Sequence, residues 1–239
     1  MEIIGIPGSL ENILKPVREI AERRQLFPHN FEQLQRQGDI GHYLAKIKQI
    51  YQQELAKKPY NRLLEPGIKA EYYLASELKM KLHEMDGYLF NNPSIDIRDN
   101  QVKGVGLSSF PDHLLITRNR FLYLETKNWS KEYLAVNGEK KKAEINQQVE
   151  LTQKHLARFL MERGIEARPT AVVYDHQGTL GESIGRLRVA HRVTEIAQMV
   201  ISSPSAVVDD IAGVFDEENV KDSIREYQSI VDVFRRLYK

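Results

Sequence analysis

Residues that can do chemistry gather in one stretch, 110–129, which reads FPDHLLITRNRFLYLETKNW. Asp112, Glu125 and Lys127 are the reactive types there, two carboxylates and one ammonium. Residues 114–117 and 121–124 are rich in β-branched and aromatic side chains, and the polar pair Arg118-Asn119 interrupts them. That pattern predicts two strands joined by a tight turn. With Arg118 and Asn119 as the loop, Ile116 faces Phe121, and further out Asp112 falls opposite Glu125. Opposed residues on antiparallel strands have Cβ atoms about 5 Å apart and share a face. Lys127, two residues beyond Glu125, joins that face. A loop shifted to Asn119-Arg120 would instead set Asp112 opposite Lys127.

Facing carboxylates repel, and burying them is costly unless positive charge sits between them. A hard divalent cation such as Mg²⁺ meets that need with oxygen ligands, and Mn²⁺ substitutes readily. Asp112 and Glu125 are the candidate ligands, and Lys127 would hold the attacking water or offset charge growing on a phosphate. The alternative is a surface salt bridge from Lys127 to one of the carboxylates.

These residues carry a resemblance. Pro111-Asp112, followed by Glu125-Thr126-Lys127 at the end of the next strand, resembles the motif of the PD-(D/E)XK nuclease superfamily. The finer likeness is to its nuclease-related domain family, NERD. That family has a G-x-x-x-E helix start, a D-H-hydrophobic strand and an E-x-K-N-W strand end. The counterparts here are Gly67 and Glu71, then Asp112-His113-Leu114-Leu115, then Glu125-Thr126-Lys127-Asn128-Trp129, and the likeness spans roughly residues 65–200. It implies a restriction-endonuclease-like α/β core, with Mg²⁺ held by Asp112, Glu125 and the Thr126 carbonyl. It further implies a direct or water-mediated contact from Glu71, Lys127 as the water-positioning residue, and a glutamine approaching from the following helix. Gln148 is the choice there, with Gln153 farther from the inward face. Where family members have Asn-Pro near this helix start, Asn146 is followed by Gln147.

The elements that must position these groups follow from periodicity. Residues 1–60 read as helical: Leu10, Ile13, Leu14, Val17 and Ile20 keep helical spacing, and Asp39 can cap a helix with Tyr43, Leu44, Ile47, Ile50, Tyr51 and Leu55 on one face. A helix after Pro66-Gly67 runs to about His83, with Glu71 beside its inward face of Ile68, Tyr72, Ala75, Leu78 and Leu82. A carboxylate so placed must be paired or bind a cation. Residues 88–90 form a short strand, and a polar loop follows to 108. Residues 131–142, with Gly138 and the run Lys140, Lys141 and Lys142, read as a loop whose lysines would hold phosphates or face solvent. Helix is expected over 144–163, 193–201 and from Asp216 to the end, and strands at 170–174 and 187–190. His113 points away from Asp112's face and reads as structural.

The chain has 239 residues, 41% hydrophobic and 28% charged, which suits a globular core with appendages. Cysteine is absent, so disulfides and thiolate metal sites are excluded and a reducing, cytoplasmic setting is expected. No apolar run is long enough for a membrane span, and the start lacks the pattern of a signal peptide. The net charge of +1 leaves any attraction for nucleic acid to local patches. The seven histidines form no HxH or HxxxH pair, and GxxxxGK[ST], GxGxxG and GxSxG are all missing.

The expectation is an α/β protein with a central mixed β-sheet flanked by helices: a helical N-terminal extension (1–60), the nuclease-like core (61–203) and a helical C-terminal extension (204–239) packed on it. The expected activity is metal-dependent hydrolysis of phosphodiester bonds, with DNA as the partner. The helical extensions are candidates for a homodimer interface, and no membrane is expected. The alternatives are a non-catalytic nucleic-acid- or protein-binding module, and a hydrolase of another substrate on the same scaffold.

Overall fold

Alternating apolar side chains build the centre of a mixed sheet in the computed structural model. The structure describes residues 1–55, 59–84, 86–93, 95, 111–118, 121–167, 169–177, 199–202 and 226–238. Its strands are β1 (Glu2–Ile4), β2 (Gly87–Asn91), β3 (His113–Thr117), β4 (Phe121–Lys127), β5 (Thr170–Asp175) and β6 (Met199–Ser202). They lie in one six-stranded sheet in chain order. β3 runs antiparallel to both β2 and β4, and the pairs β1–β2, β4–β5 and β5–β6 are parallel.

The β3–β4 register is the one expected from a loop at Arg118-Asn119: Ile116 pairs with Phe121, Leu115 with Leu122, Leu114 with Tyr123 and His113 with Leu124. The shifted register is excluded. That alternative lies two residues along β4 and would keep every side chain on its own face, so it is the observed pairing, and not the alternation of the core, that decides between them.

Helices cover both faces. On one side lie α1 (Gly8–Leu14), α2 (Arg18–Arg23), α3 (Phe31–Arg36), α4 (Ile40–Glu54) and α5 (Glu65–Lys81), packed on Leu89, Leu115, Leu122, Leu124, Val172 and Tyr174 of the sheet. On the other lie α6 (Lys131–Met161) and α7 (Tyr227–Arg235), packed on Phe90, Leu114, Ile116, Phe121, Tyr123, Ala171 and Val173. Neighbouring residues of one strand thus serve opposite cores, as period-two alternation demands. Asp39 caps α4 as expected, accepting from the Gly41 amide at 2.8 Å. Phe234 of α7 meets Phe90, Phe121 and Phe159, with ring centroids 5.8, 6.1 and 5.8 Å away.

Three sequence expectations are corrected. Residues 1–60 are not wholly helical, because Glu2–Ile4 pair in parallel with Tyr88–Phe90 and extend the sheet. A three-residue strand is too short to announce itself by alternation. Residues 131–142 are not a loop: α6 is continuous over 31 residues. Ser130 caps it, accepting the Tyr133 amide at 3.2 Å, and Glu144 pairs with Lys140 and Lys141 one turn earlier. Leu134, Ile145, Val149, Leu156 and Leu160 keep one buried stripe along it. Gly138 costs about 1 kcal/mol in a helix, too little to break one with these supports. Residues 199–202, expected to end a helix, pair with Ala171–Tyr174 as a strand. The strand expected at 187–190, most of the helix expected at 193–201 and the beginning of the last helix lie outside the described residues.

Candidate active site

The sheet delivers Asp112 and Glu125 to the same end of the β3–β4 hairpin. Asp112 directly precedes β3, and its carbonyl accepts the Asn92 amide at 2.8 Å. Its Oδ2 accepts the Thr126 amide at 2.7 Å. Glu125, 2% exposed, lies near the end of β4 on the face of Tyr123 and Lys127. The Tyr123 hydroxyl donates to its Oε2, while the Lys127 ammonium donates to Oε1.

Gln148 joins this group from α6. Its Nε2 donates to Glu125 Oε1 at 2.7 Å, and its Oε1 accepts from Lys127 Nζ at 3.1 Å. Both ends of the amide are thereby used, which fixes its orientation. Gln153 instead donates to the Pro169 carbonyl at 2.9 Å, away from the hairpin end. Lys127 is only 13% exposed, so its pairing with Glu125 is not a solvated surface bridge.

Glu71, 4% exposed, comes from the first turns of α5. Ser9 of α1 donates its amide to Oε2 at 3.2 Å and its hydroxyl to Oε1. Burial raises Glu71 to about 7 against these bonds, and repulsion from Glu125 adds to the rise. Burial likewise holds Asp112 well above the usual carboxylate range. Glu125 and Glu71 push it further, while Lys127 and the Thr126 amide oppose. Burial disfavours the Lys127 ammonium, but Glu125 and Asp112 outweigh it and the net shift is upward, so the charge is kept. Burial and Glu125 also raise Tyr123 well above its ordinary value, leaving it a proton donor.

His113 sits on the opposite face of β3, buried, with Nδ1 2.7 Å from Asn91 Oδ1. Burial drives it down to about 3, so it is neutral and serves the core, as the alternation predicted.

The lysine run lies on α6. Lys140 is largely exposed, with Nζ 4.0 Å from Glu144. Lys141 pairs with Glu144 and stands 5.5 Å from the centre of the Trp129 ring and 5.9 Å from that of Tyr133. The side chain of Lys142 lies outside the described residues. Lys127 Nζ is 5.7 Å from the same Trp129 ring, so the indole links the site to the lysine run.

Sequence reasoning missed Tyr123 and Ser9. Tyr123 was legible, since alternation places it on the face of Glu125. Ser9 carried no signal, because its partner lies 62 residues away. Among the described residues no three histidine, cysteine or carboxylate side chains are gathered as a ready-made metal cluster. The site offers two hairpin carboxylates, a carboxylate from α5 and one buried ammonium.

The profile of the nuclease-related domain family, NERD, matches residues 66–191, more than half of the chain. The chain belongs to the NERD family. The NERD segment contains Glu71, Asp112, Glu125, Lys127 and Gln148, while Ser9 precedes it. No curated protein and no solved structure matches the chain. Among the described residues no helix is long and apolar enough to cross a membrane.

Proposed function

We propose that this NERD protein is a metal-dependent nuclease that hydrolyses phosphodiester bonds in DNA, built on a restriction-endonuclease-like core. One observation carries the reading: a buried Glu125–Lys127 pair bridged by Gln148 lies beside Asp112, at the hairpin end where the family motif falls. A carboxylate, ammonium and amide locked together inside a fold form a preorganised polar site, which is costly to retain as packing alone.

The donor set fits a hard divalent cation. Asp112, Glu125 and Glu71 carry up to three negative charges against the single charge of Lys127, and their mutual repulsion adds to the upward shift that burial gives Asp112 and Glu71. Asp112, Glu125 and the Thr126 carbonyl would hold Mg²⁺ or Mn²⁺, with Glu71 in direct or water-mediated contact. When bound, the ion supplies a water of lowered pKa and offsets charge on the scissile phosphate.

The chain's own residues do the rest. Lys127 stays protonated and is held against Glu125 and Gln148, so its charge is fixed where a phosphate would gain negative charge. Gln148 holds the Lys127–Glu125 geometry and keeps the amine from swinging. Tyr123 keeps one Glu125 oxygen hydrogen-bonded, which restrains its rotation. Lys140 and Lys141 would meet the phosphates of bound DNA next to the site.

The test is incubation of the purified protein with supercoiled, linear and single-stranded DNA, with Mg²⁺, with Mn²⁺ and with chelator. Metal-dependent cleavage supports the reading. Salt-sensitive DNA binding without cleavage under any of these conditions would assign the protein to the non-catalytic binding modules.

A further inference from the structure

The Glu71 carboxylate is held by a residue that the family segment does not contain. Ser9 engages both of its oxygens, one through the backbone amide at 3.2 Å and one through the hydroxyl. These bonds replace hydration that burial removes from Glu71.

α5 leaves room for this contact. Gly67 lies one turn before Glu71 on the same helix face, and a Cβ there would stand 3.4 Å from Ser9 Oγ. An alanine methyl there would make ordinary van der Waals contact with Ser9. On the other flank, a Cβ on Gly8 would meet the Asn92 side chain at 2.8 Å, and the Asn92 amide binds the Asp112 carbonyl. The start of α1 is therefore wedged between the Glu71 helix and the strand end next to Asp112.

We infer that Ser9 is a positioning residue of the nuclease site, fixing the Glu71 carboxylate, so that the segment ahead of residue 66 completes the active site of the NERD segment. The inference rests on the nuclease reading above. A free glutamate side chain samples several rotamers, and a metal that recruits it must order it. Ser9 does that ordering in advance.

The experiment is Mn²⁺ calorimetry and DNA-cleavage kinetics on the full chain, for wild type, Ser9→Ala, Ser9→Thr, Glu71→Gln and the Ser9→Ala/Glu71→Gln pair. Loss of a group that orients a metal ligand typically costs about 10–100-fold in metal affinity or activity. Ser9→Ala should lose about tenfold or more in both readouts. Ser9→Thr, which keeps the hydroxyl, should retain both, and Ser9→Ala should cost nothing further once Glu71 is glutamine. Wild-type behaviour of Ser9→Ala, no rescue by threonine, or an equal loss in the Glu71→Gln background would overturn the inference while the nuclease reading stands. A wild type that neither binds Mn²⁺ nor cleaves would remove both.

Discussion

The Thr126 amide donates to Asp112 Oδ2 at 2.7 Å, tying the residue before β3 to the end of β4. One carboxylate oxygen thus closes the hairpin. Asp112→Asn keeps an acceptor for Thr126 and deletes the charge, whereas Asp112→Ala deletes both. Both variants should lose Mn²⁺ binding by calorimetry, and only Asp112→Ala should also lower the thermal midpoint of the metal-free protein at pH 8. Wild-type Mn²⁺ affinity in Asp112→Asn would rule this carboxylate out as a ligand.

Lys127→Met keeps the apolar stem and removes a buried charge. An exposed ion pair is worth about 0–1 kcal/mol, but breaking a buried one from one side costs about 3–5 kcal/mol. The variant should therefore be clearly less stable without metal and recover part of the loss in Mn²⁺. Interactions made chiefly in the transition state affect rate more than binding, and losing one electrostatic group costs about 10²–10³ in rate. DNA and Mn²⁺ binding should persist while cleavage slows at least about a hundredfold. Cleavage at the wild-type rate would refute the role assigned to Lys127.

Glu71 sets a pH dependence. Burial raises it to about 7, so the fold binds its proton more tightly than the unfolded chain does, where the value is about 4.3. Its contribution to stability is complete below that unfolded value and is lost as pH climbs towards 7. The buried His113, driven to about 3, acts oppositely: its unfolded imidazole takes a proton below about 6.5, so acid costs stability. Glu71→Gln isolates the first contribution. With chelator present, the variant's midpoint should lie near wild type at pH 5 and several degrees above it at pH 8, about 2–4 °C for each kcal/mol at this size. A difference that ignores pH would show that Glu71 does not titrate across this range.

The lysines of α6 should contribute affinity and not chemistry. Neutralising Lys140, Lys141 and Lys142 together should flatten the salt dependence of DNA binding, with a slope change of up to about 3. Lys140→Ala alone should account for about one unit, because its amine is the more exposed, whereas Lys141 is already engaged with Glu144. An unchanged slope would leave the run as a solvated helix face.

The sequence revealed what is local and periodic. Alternation put Asp112, Glu125 and Lys127 on one face but left two registers open, and the fold takes the one that sets His113 against Leu124 and so Asp112 beside Glu125. Helical spacing put Gln148 beside an inward face, and chemistry in the fold separates it from Gln153. Glu71 stood out as a carboxylate beside an apolar stripe. Local rules failed where tertiary structure overrides them. Gly138 and three lysines look like a loop until the cap at Ser130 and the stripe from Leu134 to Leu160 are counted together. Residues 2–4 become a strand only because β2 offers an edge, and Ser9 reaches Glu71 only once α1 has folded against α5.

Trp129 is the only tryptophan in the chain, and the ammonium groups of Lys127 and Lys141 lie 5.7 and 5.5 Å from its ring. Indole emission shifts with the field of nearby charges. The protein therefore carries a native optical gauge at the mouth of its site, free of competing indoles. A metal drawn between the carboxylates would loosen Lys127 from Glu125, and a phosphate drawn to the lysines would move Lys141. Each event would change the field at the same ring, so occupancy could be followed in unlabelled protein and in real time.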